Sequence, residues 1–191
     1  SRDAGDIFEA LVINATEPAS IELVIDVTND EERTIYVPCG IIEGRSSEVI
    51  IAGAHHDTVY MAQGAVDDSS GTATVLEMAR QFGLIESQIG EPKHTIYFCT
   101  WGGEEEGLFG SSAWVNAHQE ELRDHLRFYV NLDMNHVDVE RNNGVVLFGN
   151  NPDDMEHIFN IHSKFVEEYP VLGSTYGAQV LVVESSDMPN N

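Results

Sequence analysis

Imidazole and carboxylate side chains follow the stretches of this 191-residue sequence that predict buried strands. The acidic run 104–106 comes after the β-branched and aromatic segment 94–99, and His55 and Asp57 come after the continuous apolar run 49–54. Adjacent carboxylates near a protein interior repel one another and lose hydration unless a cation or a proton compensates. Taken alone, the acidic run favours a solvated turn, and the other segments change that interpretation.

Two further acidic side chains extend the pattern. Asp133 follows the apolar segment 127–132, and Asp67 lies in the polar loop 64–71 that leads into a predicted helix. Ligands of open α/β sheets bind at the carboxyl ends of the strands. Folding can therefore bring four candidate metal ligands to one sheet edge, namely His55, Asp67, Glu105 and Asp133.

The donor types in this set favour a hydrolytic metal site. Imidazole mixed with carboxylates suits zinc, with cobalt and manganese as alternatives, and the lack of cysteine in the set argues against a structural zinc site. A carboxylate shared between two metal ions about 3.5 to 4 Å apart is typical of two-metal hydrolases. The spacing His55-x-Asp57 places a carboxylate on the same side of an extended segment as the imidazole, where it can support a ligand histidine.

The elements that must position these side chains alternate between strands and helices. Amphipathic segments predict a helix over 72–82 that Gly83 ends, one broken or two short helices over 111–126, and a helix from Pro152 to about Tyr169. The alternation predicts an α/β fold, with three αβα layers around a central mixed, mostly parallel sheet. The predicted strands are 49–54, 94–99, 127–132, 144–148 and 176–183.

The segments before residue 45 predict a pair of strands. Apolar residues at every second position of 21–27 predict a half-buried strand, and 34–44 predicts its partner, which Pro38 places at a sheet edge. Cys39 and Cys99 are the only cysteines, and two buried free thiols are favoured over one disulfide. The cysteines leave the redox compartment open, and we expect a location outside the cytoplasm.

The composition excludes some classes of partner. Nine basic residues stand against 33 acidic ones, for a net charge of −24, which argues against binding to nucleic acid or anionic membranes. A hydrophobic content of 42% agrees with a globular domain, and no apolar run reaches the roughly 18 residues that cross a bilayer. The charge strains the compact state, so cations or salt should stabilise the protein. Composition does not separate salt adaptation from cation binding.

Four ordered motifs resemble the successive motifs of the M28 family of zinc aminopeptidases. They are Gly53-Ala54-His55-His56-Asp57, the loop Gly64 to Gly71, the acidic run with Gly107-Leu108-Phe109-Gly110-Ser111, and Asn131-Leu132-Asp133-Met134. The similarity covers residues 34–135. It implies the three-layer fold of zinc-dependent exopeptidases and, for residues 20–191, a peptidase catalytic domain that is incomplete at its C-terminus. Residues 1–19 resemble the end of the protease-associated domain that is inserted in many members.

The resemblance assigns roles to the candidate ligands. His55 and Asp133 would bind one zinc ion, Glu105 would bind a second one, and Asp67 would bridge the two. Asp57 would orient His55 from behind. Two zinc ions per complete site are therefore the expected cofactors.

The resemblance also implies the reaction. Glu104 would act as general base, taking a proton from water and passing it to the departing amine. The expected activity is the removal of N-terminal residues from peptide substrates. The oligomeric state stays open.

One ligand of the family has no counterpart in this sequence. The family's fifth protein ligand is a late C-terminal histidine, on a loop after a Ser-Asp-His segment that Ser186-Asp187-Met188 echoes. His136, His157 and His162 lie in no matching context. One zinc site is therefore expected to be incomplete as the sequence stands.

Two alternatives keep the same fold. One is a glutaminyl-cyclase-like aminoacyltransferase that uses one zinc ion, and the other is a non-catalytic domain of the receptor type. Three residues near the motifs have plainer interpretations: His56 as a neighbour of the pocket, Asp68 as a helix cap and Glu106 as a solvated acid.

Overall fold

A four-stranded mixed sheet occupies the centre of the larger part of the chain. The computed structural model describes residues 2–18, 20, 22–28, 31–135, 146–147, 149, 151–171 and 179–180. The chain divides into two units, Ser1–Thr34 and Ile35–Asn191. In the first unit, helix α1 (Arg2–Ile13) precedes an irregular segment. The expected boundary between residues 19 and 20 stays a prediction.

The second unit carries the remaining elements. From residue 46 onwards strands and helices mainly alternate, as the sequence predicts. In chain order they are β1 (Cys39–Ile42), β2 (Ser46–His55), α2 (Ser69–Ile89), β3 (His94–Trp101), α3 (Phe109–Ala117), α4 (Gln119–His125), β4 (Leu126–Asn131), β5 (Val146–Leu147), α5 (Pro152–Glu168) and β6 (Gln179–Val180).

The main sheet has the strand order β1-β3-β2-β4. Strands β3, β2 and β4 are parallel, whereas β1 runs antiparallel to β3 at one edge of the sheet. The predicted edge position of the segment with Pro38 is confirmed, but its predicted pairing with 21–27 is wrong, because β1 pairs with β3 instead. β5 and β6 form a separate parallel pair. The described parts of the predicted strands 144–148 and 176–183 are therefore extended.

Helices cover both faces of the main sheet. On one face, Val75 of α2 packs against a buried cluster from β2 and β3 that includes Ala52 and Phe98. On the other face, Trp114 of α3 and Leu122 of α4 pack against a second buried cluster from the same strands. The predicted three-layer α/β fold is confirmed.

Two predicted elements are wrong. Residues 22–28 form no strand, and Leu23, Ile25 and Val27 are exposed, because alternation alone does not supply a pairing partner. The first long helix does not end at Gly83 but continues to Ile89, because the cost of one helical glycine, about 1 kcal/mol, is small beside the packing of α2 on the sheet. Gly90, with φ of 84°, follows its last residue.

The prediction of two free thiols is also wrong. Cys39 and Cys99 form a disulfide between β1 and β3. The antiparallel register places the two residues directly opposite each other, with their Cα atoms 4.1 Å apart. Residues that face each other so closely across two strands are near enough for their sulfur atoms to be joined.

Among the described residues, none of the helices combines the length and the apolar character that a bilayer span requires.

Candidate metal centre

Three parallel strands end at the same edge of the sheet. His55 is the last residue of β2 and lies beside Trp101, the last residue of β3, while Asn131 at the end of β4 pairs with Gly53. The acidic turn after β3 and the loop after β4 therefore leave the sheet next to His55. The register of the parallel strands, set by their apolar residues, is what brings the distant motifs together.

His55 is the centre of this arrangement. Its side chain is 3% exposed, and its Nε2 atom lies 3.0 Å from Asp67 Oδ1, 3.8 Å from Asp133 Oδ1 and 3.9 Å from Glu104 Oε2. One potential ligand atom from each of His55, Asp67 and Glu105 lies within 4.8 Å of the other two. The structure thus brings together all four ligands that the sequence predicts.

The acidic side chains are more exposed than the imidazole. Asp67 and Asp133 are 44% and 40% exposed, and Glu104 is 30% exposed. The imidazole therefore forms the floor of the centre, and the carboxylates form a rim that opens to solvent. Molecules in solution can reach such a rim.

Asp57 acts mainly on main-chain groups of the acidic turn. The N–H groups of Glu104 and Glu105 donate to its two carboxylate oxygens, each at 3.1 Å. Val59 N–H donates in return to Glu105 Oε1 at 3.1 Å. His55 Nδ1 lies 3.1 Å from the main-chain oxygen of Asp57 and 3.7 Å from its carboxylate. Asp57 thus fixes both the histidine and the turn that carries two acids.

The turn itself is closed by short-range hydrogen bonds. The N–H groups of Gly107 and Leu108 donate to the carbonyl oxygen of Glu104, each at 2.9 Å, and Phe109 N–H donates to Gly103 at 2.9 Å. Gly103 has φ of +71°, a conformation that glycine adopts without a Cβ penalty. The turn leads directly into α3, which holds the acids close to the end of β3.

Electrostatic interactions shift the pKa of several of these groups. Burial, the largest effect, lowers the pKa of His55, but the nearby negative charges outweigh it, so the pKa is raised. Burial raises the pKa of Glu104, with Glu105 adding to the rise and His55 opposing it. Burial acts to raise the pKa of Asp57, yet the main-chain N–H groups that donate to it bring the pKa below its usual value.

The donor set fits a divalent cation. In the part of the chain that the structure describes, the ion-pair partner of Asp67, Glu104 and Asp133 is the single imidazole of His55. One imidazole cannot neutralise the clustered carboxylates, and no lysine or arginine pairs with these acids in the described residues. Oxygen and imidazole donors without thiolate suit zinc in an open, catalytic site.

Comparison with known proteins identifies the family. The model described as Peptidase family M28 matches residues 39–171, well over half of the chain. The chain belongs to peptidase family M28. The match spans β1 to α5 and includes every residue of the candidate metal centre.

Several M28 relatives are similar in sequence. Identity is 36% over 115 residues to a probable glutamate carboxypeptidase, VP8, of Zea mays, 37% over 125 residues to the aminopeptidase NAALADL1 of Mus musculus, and 34% over 119 residues to an aminopeptidase of Pseudomonas aeruginosa. The alignments cover 58%, 63% and 62% of this chain. They cover 16%, 16% and 21% of the relatives, so the chain spans a minor part of their length.

Solved structures agree with the M28 assignment. LapA of Legionella superposes with a TM-score of 0.54 at 26% identity, over 78% of this chain and 39% of LapA. A glutaminyl cyclase from an Acidobacteriales bacterium superposes with a TM-score of 0.58 at 16% identity, over 82% of this chain and 61% of the cyclase. The second likeness shows a shared fold.

The other histidines in the described part of this M28 chain contribute to neither group of potential metal ligands. His56 is exposed beside it, and His157 and His162 lie on α5. His136 and the segment Ser186-Asp187-Met188 lie outside the described residues. Among the residues that the structure describes, each group able to hold a metal contains His55 as its imidazole.

Sequence reasoning missed contacts made by the first turn of α2. Asp68, predicted as a helix cap, does accept a hydrogen bond from Gly71 N–H, but it also lies within 4.8 Å of His55 and Asp133 as a potential ligand group. Thr72 Oγ1 donates to the carbonyl oxygen of His55 at 2.8 Å. The doubled aspartate at a helix start was the available signal for Asp68, and it indicates a cap equally well.

Proposed function

We propose that this protein is a zinc-dependent aminopeptidase that removes N-terminal residues from peptides. The observation that carries the proposal is the buried imidazole of His55 surrounded by a solvent-facing rim of carboxylates at the ends of three parallel strands. Membership of a peptidase family supports peptide substrates. The aminopeptidases of Mus musculus and Pseudomonas aeruginosa among the relatives support the exopeptidase specificity.

Zinc would be held by the four predicted ligands. His55 and Asp133 would hold one ion, Glu105 would hold a second, and Asp67 would be shared between them. When bound, zinc polarises a peptide carbonyl group and makes water more acidic. The geometry among the side chains favours Asp67 as the shared ligand, because its Oδ1 lies 3.0 Å from His55 Nε2 while it also groups with Glu105.

Glu104 would act as the general base. The carboxylate of Glu104 lies near His55, at the acidic turn. The main-chain N–H of Glu104 donates to the Asp57 carboxylate, and this hydrogen bond holds Glu104 in place. Burial raises its pKa, and a base whose pKa lies closer to neutral pH both accepts and releases a proton more readily. Oε2 of Glu104 would take a proton from water and then pass it to the departing amine. The oxygen atom of the water would become part of the new carboxyl group.

A second specificity has its own support. The relative of Zea mays is named a probable glutamate carboxypeptidase, at an identity close to that of the aminopeptidases. The same centre would then cleave the C-terminal rather than the N-terminal residue. Which end is cleaved depends on pocket walls rather than on the metal ligands, so a substrate assay must include both classes.

The disulfide and the sequence resemblance support two further parts of the proposal. Disulfides persist in oxidising compartments, so the Cys39–Cys99 bond supports a location outside the cytoplasm. We also propose that residues 20–191 belong to the catalytic domain and that residues 1–19 belong to an inserted protease-associated domain. Limited proteolysis between residues 19 and 34 would test that division.

The function is tested with a matched pair of glutamate variants. Glu104→Gln should lower kcat by roughly 10²- to 10⁴-fold, the usual contribution of a general base, while zinc binding measured by calorimetry is retained. Glu106→Gln removes an exposed acid two residues away and should leave both quantities unchanged. Activity that persists in Glu104→Gln would contradict the assigned base.

Metal and substrate are tested on the unaltered protein. Hydrolysis of aminoacyl p-nitroanilides should be lost in chelator and regained with zinc. N-acetylated dipeptides ending in glutamate report carboxypeptidase action, and N-terminal glutaminyl peptides report cyclisation. Turnover of the second or third class alone would overturn the aminopeptidase proposal.

A further inference from the structure

We propose that Asp68 is a positioning residue that fixes the loop carrying Asp133, the predicted ligand that follows β4. The inference rests on the proposed metal centre, because Asp133 matters only if it binds an ion. It assigns to Asp68 a function beyond capping α2.

One oxygen of Asp68 joins two distant parts of the chain. Gly71 N–H donates to Oδ1 at 2.9 Å, which is the ordinary bond of a helix cap. Met134 N–H, 66 residues away in sequence, donates to the same oxygen at 3.2 Å. Asp68 is fully buried, so water does not compete for these bonds. The carboxylate thus holds the main chain immediately after Asp133.

The loop needs such a restraint. Met134 has φ of +51°, a left-handed conformation that is rare for residues with a side chain and is unfavourable unless its surroundings hold it. Such a residue keeps its conformation only when contacts on both sides over-determine it. The bond from its N–H to Asp68 is a direct restraint of this kind.

Other contacts hold the loop on either side of Asp133. Leu132 N–H donates to the carbonyl oxygen of Gly53 in β2 at 2.8 Å, and Asn135 Nδ2 donates to Thr74 Oγ1 in α2 at 2.8 Å. Gly71 packs so tightly that a Cβ atom there would collide with the carbonyl oxygen of Leu132. The loop after β4 therefore packs against the first turn of α2, and Asp68 accepts the hydrogen bond from the main chain of that loop.

A competing role for Asp68 is that of a metal ligand. Its Oδ2 atom is buried without a hydrogen-bond partner, and Asp68 groups with His55 and Asp133 within 4.8 Å. The two roles differ in which atom matters. Positioning needs the Oδ1 acceptor, whereas ligation needs the negative charge at Oδ2.

Two substitutions separate these roles. Asp68→Asn keeps an acceptor in the place of Oδ1 and removes the charge. Asp68→Ser keeps a good N-cap residue for α2, so the helix should still form, but the serine side chain is too short to reach Met134. Asn151→Ser, which shortens the cap of α5 in the same way, is the matched control.

The readouts are amide hydrogen exchange of Met134 and zinc affinity by calorimetry. We expect Asp68→Ser to speed exchange at Met134 by at least tenfold and to weaken zinc binding by roughly 10- to 100-fold, the usual effect of losing a supporting contact to a ligand. Asp68→Asn should keep slow exchange and most of the affinity, and Asn151→Ser should change neither.

Two results would overturn the proposal. Exchange at Met134 that stays slow in Asp68→Ser would show that Asp68 does not hold the loop. Zinc affinity that falls as far in Asp68→Asn as in Asp68→Ser would make Asp68 a ligand instead. Failure of the unaltered protein to bind zinc would contradict the proposed function, while Met134 exchange would still decide whether Asp68 fixes the loop.

Discussion

Asp57 illustrates what a carboxylate outside the proposed ligand set can do. Its type and spacing predict support for His55, and the structure adds that its carboxylate receives the N–H groups of Glu104 and Glu105. Sequence could identify the acid as part of the site because His-x-Asp is a local pattern. It could not reveal the bonds to residues 47 and 48 positions away, because these depend on the register of β2 against β3.

Substitution of Asp57 tests this bond pair. Asp57→Asn leaves one acceptor oxygen, so one of the two N–H groups of the acidic turn loses its partner. Because that turn carries both the proposed base and a proposed ligand, we expect kcat to fall by roughly 10- to 100-fold and zinc to bind more weakly. Steady-state kinetics and calorimetry would measure both. A change confined to KM would argue that Asp57 contributes to substrate binding alone.

The two glycines of α2 have opposite requirements. At Gly83 no atom lies within 4 Å of the position that an added methyl group would take, whereas at Gly71 that group would collide with Leu132. Gly83→Ala should therefore stabilise the protein by about 0.5–1 kcal/mol through helix propensity. Gly71→Ala should destabilise it by about 1–3 kcal/mol through overpacking.

Denaturant unfolding of the two variants would measure this difference, and each serves as the control for the other. Equal effects of the two substitutions would show that α2 does not pack closely on the loop after β4. Stabilisation by Gly71→Ala would exclude the close contact with Leu132.

The disulfide joins β1 to the strand that leads into the acidic turn. It closes a loop with a sequence separation of 60 residues, for which the chain-entropy account gives a stabilisation of about 4 kcal/mol. We expect the free energy of unfolding to fall by about 2–5 kcal/mol on reduction. Urea unfolding with and without reductant would measure it, with zinc present at equal concentration in both. An unchanged midpoint would mean that the two thiols are not joined in solution.

The elements were largely predictable because their apolar patterns are local. The helix that begins at Pro152 has Asn151 as its cap, with Asp153 N–H donating to the Asn151 side chain at 3.0 Å. The missing strand at 21–27 and the missed disulfide have one cause in common, which is that strand pairing is not local. The pattern at 21–27 could not show whether a partner strand exists, and Cys39 could not be placed opposite Cys99 without the antiparallel register.

The charge of the whole molecule gives its stability a definite pH dependence. The net charge is −24, and the carboxylates near His55 repel one another when no cation is bound. His55 has a raised pKa, so its stabilising contribution is full below its ordinary pKa of 6.5 and is lost as the pH rises through the raised value. The pKa of Glu104 is also raised. Its contribution to the stability of the protein is therefore full below its ordinary pKa of 4.5 and is lost as the pH rises through the raised value.

The chelated protein should therefore be less stable at pH 8 than at pH 5.5, since about 6.5 is the pKa that His55 has when unfolded. The pKa of Asp57 is lowered from its ordinary value of 3.8, so the contribution of Asp57 to stability changes only below that pH and is constant between pH 5.5 and pH 8. Zinc should reverse the trend, because metal ions bind deprotonated ligands more tightly as the pH rises. Thermal unfolding at both pH values, with chelator and with zinc, would measure it. Stability of the chelated protein that rises towards the higher pH would contradict the assignment.

The order of the strands also restricts how the sheet can be extended. On one side it finishes with a short antiparallel strand bonded covalently to its neighbour, whereas on the other side β4 is bonded to β2 alone among the described strands. An edge strand has unpaired N–H and C=O groups with which a further strand can form hydrogen bonds. A further strand that pairs in parallel with β4 would end beside Asp133. Extension of the sheet on this side would therefore bring additional donor groups to the centre, all of them from the β4 edge.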